Sequence, residues 1–406
     1  MQRTYDIRGT VPDEINPGMA IFLAKKFSAF LKQKKYPARI ILAADKRKSS
    51  PELLYAFKKG FEGEVQEIGY TSTPIFYHEV LRRNLPGVMI TASHLPPKFN
   101  GFKCYLPNNN MWIFKGKFPQ NNTTMRLTVP KEERPRVQKE ILLAYVQELK
   151  KHIILKKKHT LSFSSTHSLN ADLISLLPKV FPNISLSKKS LWNITSDYDG
   201  DRVFISYKKK LLLPEDVFYI LLQNTSYKKI GIPKNVSNAL IQKFPEKSFF
   251  FIKTGHKNFK DAYNKKHLDF AMEYSHHIYF FKELKTEAPL LMPLKLLQFS
   301  EKHDMAKHLI DNPFFAKRYD VMLKHTNTHT AIAEFSRLWE KNFSVTIKQF
   351  DGYEIIIHDK KTYIGRIHIR TSNTEKRIVR ACIDASTRSS FVYLKRITSQ
   401  WLKKNS

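Results

Sequence analysis

The sequence has few cysteines, few acidic residues and no long apolar run. Two of its 406 residues are cysteine, Cys104 and Cys382, and they lie far apart in the chain. A disulfide framework is therefore excluded, and free thiols in a reducing compartment are expected. No apolar run is long enough to span a bilayer, and residues 1–6 lack the apolar core of a secretory signal. These absences predict a cytoplasmic protein without a membrane span.

The shortage of acidic residues gives the chain a strong positive charge. It has 69 Lys+Arg against 36 Asp+Glu, a formal net charge of +33. Such a charge is typical of proteins that meet nucleic acid, an anionic membrane or small anionic substrates. The lysines are scattered along the chain, with only short clusters such as residues 156–158 and 208–210. This spread favours a generally basic surface over a focused nucleic-acid groove, so no nucleic-acid partner is expected.

Helices and strands alternate in the first third of the sequence. Three dipeptides place proline at the first position of a helix: Asn16-Pro17, Ser50-Pro51 and Thr73-Pro74. Short apolar runs predict strands at residues 40–44, 65–68 and 87–91. This order predicts a mostly parallel sheet. The stretch from Thr91 to Lys103 is predicted to be a loop that leaves the edge of this sheet. Further along, helices are predicted at residues 138–149 and 171–180, and strands at residues 354–358, 362–369 and 378–383.

A serine, a histidine and a lysine follow the strand predicted at residues 87–91. In α/β sheets, functional residues collect at the carboxyl ends of strands. Ser93 and His94 stand at such an end, and Lys103 follows a few positions later. These residues form a candidate nucleophile loop. An ordinary polar loop after a strand, without a function, would show the same sequence pattern.

Three aspartates alternate in a single short loop. Asp197, Asp199 and Asp201 supply hard oxygen ligands to one small volume. Negative charges so near to one another are tolerated when a cation lies between them. Mg²⁺ is the usual cation where a phosphoryl group supplies a further ligand. An exposed acidic turn without metal is the alternative.

Two later stretches carry groups that suit a phosphorylated sugar. Glu273 and Ser275, next to two histidines, can bracket sugar hydroxyls by accepting and donating hydrogen bonds. Arg370, followed by hydroxyl side chains and turn amides, is typical of a phosphate cradle. Each stretch taken alone could also be a polar surface loop.

In this order, the stretches resemble the motifs of the α-D-phosphohexomutase family, most closely its phosphomannomutase/phosphoglucomutase branch. The resemblance covers nearly the whole chain. The matching motifs are found at Tyr5 to Gly9, Asp45 to Pro51, Thr73-Pro74, Thr91 to Lys103, Asp197 to Arg202, Ala271 to His277 and Arg370 to Thr374.

The chain departs from the family pattern at several motif positions. Leu95 replaces asparagine in the serine loop, and Tyr198 replaces glycine between two of the aspartates. Ala271, Met272 and His276 replace glycines of the sugar loop, and Lys376 replaces a proline after the phosphate loop. None of these changes removes the nucleophile, an acidic ligand or the phosphate clamp. They predict a diverged enzyme with a lower rate or an altered substrate preference.

The resemblance implies an α/β protein of four domains. Three related α/β domains, with mixed sheets between helices, and a C-terminal α+β domain would surround a central cleft in a heart-shaped molecule. The implied domains are residues 1–135 with the phosphoserine loop, 136–211 (shortened) with the metal loop, 212–322 with the sugar loop, and 323–406 with the phosphate loop. A monomer or dimer is expected.

The resemblance also implies an activity and a set of roles. Ser93 would carry a phosphoryl group and exchange it with mannose or glucose phosphates, through a hexose 1,6-bisphosphate that is both intermediate and activator. Lys103 would transfer a proton at the sugar hydroxyl, with its pKa lowered by neighbouring cations and the metal. The implied catalytic residues are Ser93, Lys103, Arg8, His94 and Arg202. The implied Mg²⁺ ligands are Ser93, Asp197, Asp199 and Asp201. The implied substrate-binding residues are Tyr5, Lys234, His256, Glu273, Ser275, His277, Arg370, Ser372, Asn373 and Thr374.

Two other functions stay open at this point. One is a mutase for glucosamine phosphate, which would use the same machinery. The other is a catalytically degenerate relative that binds an anionic partner through its basic surface.

Overall fold

The computed structural model describes residues 6–118, 125–165, 168–223, 225–310, 316–322, 328–340, 342–371 and 378–405. The chain divides into two compact units. The first unit comprises Met1–Leu212, Gly255–Ala271 and Ser275–Lys302, and the second comprises Leu213–Thr254, Met272–Tyr274 and His303–Ser406. Within the described ranges, no helix combines the length and apolar character that a bilayer span requires.

The first sheet lies at the start of the first unit and has six strands. They are β1 (Ile7–Thr10), β2 (Arg39–Ala44), β3 (Glu64–Tyr70), β4 (Gly87–Ile90), β5 (Phe99–Tyr105) and β6 (Met111–Trp112). The strand order is β1-β5-β4-β2-β3, with β6 beside β5. Strand β2 runs parallel to β3 and β4, whereas β5 runs antiparallel to β4 and β1.

The prediction of a mostly parallel sheet is therefore wrong beyond β4. Residues 99–103, predicted to belong to a loop, form the first part of β5. The short connection after β4 turns the chain directly back, and such a short connection joins antiparallel neighbours. Lys103 consequently sits on a strand beside the nucleophile loop, which fixes its position more firmly than a loop would.

Helices cover both faces of this sheet. They are α1 (Pro17–Gln33), α2 (Ser50–Gly60) and α3 (Thr73–Arg83), and each begins at the predicted dipeptide. Alternate residues of β2 point to opposite faces. Ile40 and Leu42 pack in the core formed with α1 and α2, whereas Ile41 and Ala43 pack in the core formed with α3. The sheet is thus buried on both sides, which explains the continuous apolar run of β2.

A second sheet of the first unit carries the acidic loop. Its strands are β7 (His159–Phe163), β8 (Ile184–Leu186), β9 (Trp192–Ser196), β10 (Val203–Tyr207) and β11 (Lys210–Leu211), in the order β11-β10-β9-β7-β8. A short 3-10 turn (Lys131–Glu133) precedes helix α4 (Lys139–Lys150). The single helix predicted at residues 171–180 is divided into α5 (Asn170–Ser175) and α6 (Leu177–Val180). Pro178 lacks the N–H that would continue the hydrogen-bond ladder, so a new helix starts just before it.

The segment after β11 contributes elements to both units. In chain order they are α7 (Pro214–Gln223), β12 (Lys229–Ile232), α8 (Asn238–Gln242), β13 (Ser248–Phe251), α9 (His256–Lys266), β14 (Phe270–Met272), β15 (Ile278–Phe280), α10 (Phe281–Leu284), β16 (Thr286–Glu287) and α11 (Leu291–Ser300). Within the second unit, β12 and β13 pair in parallel. Within the first unit, β15 and β16 pair antiparallel.

The C-terminal part of the second unit is an antiparallel sheet covered by helices. Its elements are α12 (Met305–Ile310), β17 (Ala316–Met322), α13 (Thr328–Glu340), β18 (Ser344–Gln349), β19 (Tyr353–Asp359), β20 (Thr362–Thr371), β21 (Ile378–Ala385) and α14 (Arg388–Asn405). The strand order is β17-β21-β20-β19-β18. Phe335 of α13 and Trp401 of α14 contact each other with tilted rings in the core that also contains the isoleucines of β19 and β20. The strands predicted here are confirmed, and the sheet begins at Ala316.

The domain boundaries at residues 135, 211 and 322 stay predictions. Both cysteines are free thiols, as predicted, and both are buried. Burial raises the pKa of the Cys382 thiol to about 11, which keeps it protonated near neutral pH.

We predict that Asn16→Ala lowers the free energy of unfolding of the first unit by about 1 kcal/mol, because a helix cap of this kind is lost. The Asn16 Oδ1 atom accepts a hydrogen bond from the Met19 amide at 3.0 Å, and its amide nitrogen donates to the Pro12 carbonyl at 3.2 Å. Urea unfolding measures the change. Asn16→Ser keeps an acceptor and serves as the control, with an expected loss of a few tenths of a kcal/mol. Equal midpoints for Asn16→Ala and the wild type would contradict this account of the cap.

Candidate active site

The three aspartates occupy the loop between β9 and β10. The Arg202 amide donates to Asp197 Oδ1 at 3.1 Å and closes the loop. Gly200 has a φ of +76°, and a Cβ there would lie 2.7 Å from the Asn170 side-chain oxygen. The position that needs positive φ is thus still glycine. Tyr198 is not among the described residues with positive φ, so the loop accepts the larger side chain without backbone strain.

Ser93 stands just after β4 in a strained conformation. Its φ is +56°, in the left-handed region that non-glycine residues seldom adopt. The side chain is buried, and Oγ donates to Asp199 Oδ1 at 3.0 Å. The Ser93 amide donates to Thr91 Oγ1 at 2.9 Å. Strain of this kind is maintained by its surroundings and is common at functional sites.

Asp199 joins the acidic loop to the first sheet. It is fully buried, and its Oδ2 accepts hydrogen bonds from Lys103 Nζ at 2.9 Å and from Thr73 Oγ1 at 3.0 Å. The Thr73 amide also donates to the Asp199 carbonyl at 2.9 Å. One carboxylate therefore contacts the candidate nucleophile, the candidate acid–base lysine and the first residue of α3. The sequence identified Thr73 as the start of a helix and as part of a family motif, but its contact with this carboxylate was not predicted.

The Lys103 ammonium is buried among carboxylates. Its Nζ lies 3.5 Å from Asp201 Oδ2 in addition to its contact with Asp199. Burial alone would lower the pKa of Lys103, but the charges of Asp199 and Asp201 outweigh it and raise that pKa above its ordinary value. The protein's own charges thus raise the pKa of Lys103, and the lowering expected from a bound metal stays a prediction. Beside these carboxylates Lys103 is a positive charge.

The aspartates offer oxygen atoms that suit a divalent cation. One carboxylate oxygen from each of Asp197, Asp199 and Asp201 lies within 4.8 Å of the others. Among the described residues, Asp197 Oδ2 and Asp201 Oδ1 are buried without a hydrogen-bond donor. Unpaired buried carboxylate oxygens are costly, and a metal ion removes that cost. Oxygen donors of this kind fit Mg²⁺.

The charges of these carboxylates are strongly coupled. Burial, with the charges of Asp201 and Asp199, raises the pKa of Asp197 well above its ordinary value. For Asp201 burial acts in the same direction, but the positive charges of Lys103 and Arg202 hold its pKa well below the ordinary value. The loop thus contains one carboxyl that readily takes up a proton and another that stays ionised.

Two histidines lie beside Asp201. His256 Nε2 is 3.8 Å from Asp201 Oδ2, and Arg202 Nε donates to His277 Nε2 at 2.8 Å. His277 Nε2 is therefore an acceptor, so that imidazole is neutral; burial, His256 and Arg202 also lower its pKa. Asp201, His256 and His277 form a second group close enough to hold a metal. The three aspartates suit Mg²⁺ better because this ion prefers oxygen ligands.

A buried ion pair that the sequence did not predict lies behind the histidines. Glu287 Oε1 is 3.0 Å from His256 Nδ1 and 3.3 Å from Lys260 Nζ. The Lys260 ammonium also lies 3.3 Å from the centre of the Tyr77 ring and 4.1 Å from that of Tyr105. Burial lowers the pKa of Lys260 to about 8, although Glu287 acts against this. Neither Glu287 nor Lys260 belongs to any motif recognised in the sequence.

Arg8 and His94 complete the group in the first unit. Arg8 on β1 is buried and binds Asp6 Oδ2 through Nε at 2.9 Å and Nη2 at 2.7 Å. It pairs with Gly101 on β5, where a Cβ would lie 2.1 Å from the Ile7 carbonyl oxygen, so glycine is required for this pairing. Burial and the charges of Arg202 and Arg8 lower the pKa of His94 to about 4. The imidazole is neutral at physiological pH.

The remaining predicted residues are distributed as follows. Ser275 lies in the turn before β15 in the first unit and is half-buried. In the second unit, Lys234 Nζ lies 3.4 Å from Glu354 Oε2, and Glu273 lines a small, mostly apolar cavity. Arg370 at the end of β20 is buried, with Nε 4.0 Å from Asp351 Oδ2. Four predicted residues fall outside the described part of the chain: Tyr5, Ser372, Asn373 and Thr374.

A buried serine, three loop carboxylates and surrounding cations define a class of site. The serine oxygen can accept a phosphoryl group, the carboxylates can hold a divalent cation, and the lysine and arginines can neutralise phosphate charge. The first unit thus has the parts of a metal-dependent phosphoryl-transfer site.

Comparison with known proteins relates the first part of the chain to one family. Residues 1–113 match the family described as phosphoglucomutase/phosphomannomutase, alpha/beta/alpha domain I. A phosphoglucomutase from Neisseria gonorrhoeae is 35% identical over 113 residues, which are 27% of this chain and 24% of that protein. The matched part of the chain thus spans about a quarter of that relative's length.

Two solved structures resemble nearly the whole chain. A phosphoglucomutase/phosphomannomutase family protein from Burkholderia thailandensis superposes with a TM-score of 0.77 at 17% identity, covering 99% of this chain and 96% of that chain. N-acetylphosphoglucosamine mutase from Aspergillus fumigatus, in complex with GlcNAc-6P and magnesium, superposes with a TM-score of 0.56 at 14% identity, covering 94% and 81%. These likenesses establish the fold.

The predicted resemblance to the α-D-phosphohexomutase family is confirmed. The first 113 residues match the family in sequence, and the chain as a whole has the α/β, four-domain fold of its members.

We predict that Mg²⁺ binding releases protons and strengthens as the pH rises. The pKa of Asp197 is raised well above its ordinary value, so this carboxyl takes up a proton more readily than a free aspartate, and the metal must displace that proton. Calorimetric titration with Mg²⁺ in buffers of different ionisation enthalpy counts the protons released.

Asp197→Asn is the matched control for this titration. It keeps the size of the side chain but has no proton to lose, so we expect weaker binding and less proton release. Release that is the same in Asp197→Asn and the wild type, or affinity that falls as the pH rises, would contradict the prediction.

Proposed function

We propose that this chain is a phosphohexomutase that interconverts hexose 1-phosphate and hexose 6-phosphate, with mannose or glucose as the sugar. The carrying observation is the position of Ser93, whose Oγ lies 3.0 Å from Asp199 inside a buried group of carboxylates and cations. A surface polar loop would place neither a strained serine nor a buried lysine against the same carboxylate.

The proposed reaction alternates the phosphoryl group between Ser93 and the sugar. A sugar hydroxyl oxygen attacks the phosphorus of phospho-Ser93, the bond from phosphorus to Ser93 Oγ breaks, and a hexose 1,6-bisphosphate is formed. The bisphosphate then returns its other phosphoryl group to Ser93. Phosphoryl transfer depends mainly on positioning and charge neutralisation, because the transferring group has little covalent assistance from the protein.

Several side chains of the first unit suit this transfer. Arg8 and Arg202 supply positive charge for the phosphoryl oxygens, and neutral His94 can hydrogen-bond to them. We retain Lys103 as the residue that handles the proton of the sugar hydroxyl. It is an ammonium before the reaction, so it would donate a proton to Ser93 Oγ as the bond from phosphorus to that oxygen breaks, and it would take up the proton that the attacking sugar hydroxyl loses.

We propose that Asp197, Asp199, Asp201 and Ser93 hold Mg²⁺. When bound, the ion would supply positive charge beside the transferring phosphoryl group. The two unpaired oxygens of Asp197 and Asp201 support this assignment, as does the magnesium complex of the Aspergillus fumigatus enzyme.

The residues proposed to bind the sugar and its phosphates in the first unit are Tyr5, His256, Ser275 and His277. In the second unit they are Lys234, Glu273, Arg370, Ser372, Asn373 and Thr374. Lys234 and Arg370 carry the positive charge that suits the phosphate that is not reacting.

The sugar itself is the least determined part of the proposal. Members of this fold act on different hexose phosphates, and the Aspergillus fumigatus neighbour is named for N-acetylglucosamine phosphate. The activity test therefore includes mannose, glucose, glucosamine and N-acetylglucosamine phosphates.

We predict that Ser93→Ala abolishes interconversion of hexose 1-phosphate and 6-phosphate, with a loss of at least about 10³-fold in kcat, because the phosphoryl acceptor is removed. The measurement is a coupled assay with Mg²⁺ and a trace of hexose 1,6-bisphosphate.

Ser175→Ala is the matched control, since Ser175 is an exposed serine on α5 of the same unit. We expect it to retain full activity. Turnover that survives in Ser93→Ala, or a folded wild-type protein that converts none of the four sugar phosphates, would contradict the proposed function. The second result would favour the degenerate relative that binds an anionic partner.

A further inference from the structure

The loop that carries Ser93 is held by one arginine from the end of β2. Arg47 is buried, and every N–H group of its guanidinium makes a hydrogen bond. Nε donates to Asp45 Oδ2 at 2.9 Å. The other four bonds go to backbone carbonyls of the nucleophile loop: Ser93 at 2.6 Å, Leu95 at 2.7 Å, Pro96 at 2.9 Å and Phe99 at 3.1 Å.

This arrangement fixes the backbone of the loop and leaves its side chains free to vary. Leu95, which stands where the family has asparagine, contributes its carbonyl rather than its side chain to the Arg47 contacts. A planar guanidinium can serve four acceptors only if its own plane is held in one orientation. Asp45 holds the edge of that plane, and its other oxygen accepts from the Arg47 amide at 3.0 Å and from Ser50 Oγ at 2.6 Å.

The face of the same guanidinium is covered by Tyr198. The centre of the Tyr198 ring lies 5.0 Å from Arg47 Cζ, within the range of a cation–π contact. Burial and Asp45 raise the pKa of Tyr198 to about 12, although Arg47 acts against this. The ring is therefore a neutral phenol that covers the cation rather than a charged partner.

Tyr198 also lies between two of the proposed metal ligands in sequence. Asp197 and Asp199 flank it in the loop after β9, and Asp199 accepts the hydrogen bond from Ser93 Oγ. The carboxylate loop is thus linked to the nucleophile loop in two ways. One link is the contact of Ser93 with Asp199, and the other is the stack of Tyr198 on the arginine that holds the Ser93 carbonyl.

We propose that Tyr198 is a positioning residue, which locks the nucleophile loop against the carboxylate loop through the guanidinium of Arg47. It stands where the resemblance places a glycine, which has no side chain to cover the guanidinium. The expected effect of Tyr198 on kcat rests on the proposed mutase function, whereas its expected effect on the order of the nucleophile loop does not.

The test combines hydrogen exchange with kinetics in Tyr198→Leu and Tyr198→Phe. Leucine removes the π face, and phenylalanine keeps it. The reporters are the amides of Leu95 and Phe99, which donate to the carbonyls of Ala92 and Pro96 within the loop. In Tyr198→Leu we expect these amides to exchange at least about tenfold faster, and kcat to fall on the order of tenfold or more at saturating Mg²⁺ with little change in KM. Tyr198→Phe should match the wild type in both.

Arg47→Lys tests the other partner of the contact between Tyr198 and Arg47. Lysine keeps the charge but cannot bind four carbonyls, so we expect the same faster exchange confined to residues 91–99. Exchange in β21 of the second unit serves as the folding control for all three variants. If Tyr198→Leu does not fold, Tyr198→Gly, which restores the glycine that the resemblance places here, also removes the ring and carries the same expectation for loop exchange.

Three results would overturn the inference. The first is unchanged loop exchange in Tyr198→Leu and Arg47→Lys. The second is an equal loss in Tyr198→Phe and Tyr198→Leu, which would assign the effect to the hydroxyl. The third is a fall in turnover that follows weaker Mg²⁺ binding while the loop exchanges normally. If the wild type converts no sugar phosphate, the proposed function fails, but the exchange experiment still tests the lock.

Discussion

The placement of three carboxylates in one buried loop constrains the rest of the first unit. Asp199 and Asp201 are fully buried, and charges in such a position are stable only with partners that neutralise them. Lys103 supplies one positive charge from β5, and hydrogen bonds come from Thr73 at the start of α3 and from Ser93 in the loop that follows β4. The acidic loop therefore fixes how the second sheet meets the first. The positive charges that neutralise these carboxylates stabilise the fold, and they also form part of the candidate catalytic site.

Support for these charges continues in further layers of side chains. His256 bridges Asp201 to Glu287, and Glu287 is neutralised in turn by Lys260 between two tyrosine rings. Each buried charge has an opposite charge next to it, which makes the arrangement rigid but sensitive to the removal of any one partner. On the other side, Arg47 ties the backbone of the nucleophile loop to Asp45. A site with rigid support on both sides meets the requirement of phosphoryl transfer for accurate positioning.

Features of the fold that depend on local chemistry could be predicted from the sequence. Asn16-Pro17 and Thr73-Pro74 mark helix starts because capping and proline act within a few residues. The motif residues Ser93, Lys103 and the three aspartates could also be named, because their order in the chain matches a known family. The structure brings these five residues together.

Features that depend on distant contacts could not be predicted. The strand at residues 99–105 contains Gly101 and Asn100, which normally indicate a turn, but pairing with β1 and β4 makes it a strand. The contacts that raise the pKa of Lys103 could not be predicted, because the nearest carboxylates come from the other sheet. Glu287 and Lys260 matched no motif, since their importance arises only from being buried beside His256 and each other.

The central claim is that Ser93 carries and transfers a phosphoryl group, and a single-turnover experiment tests it most directly. The protein is first phosphorylated with isotopically labelled hexose 1,6-bisphosphate, purified, and mixed with unlabelled mannose 1-phosphate or glucose 1-phosphate in a rapid-quench apparatus. The account predicts that the label leaves Ser93 at a rate no slower than kcat and is recovered in the hexose bisphosphate. It would be contradicted if the label never attached to Ser93, or if it left only as inorganic phosphate at a rate that the sugar phosphate did not change.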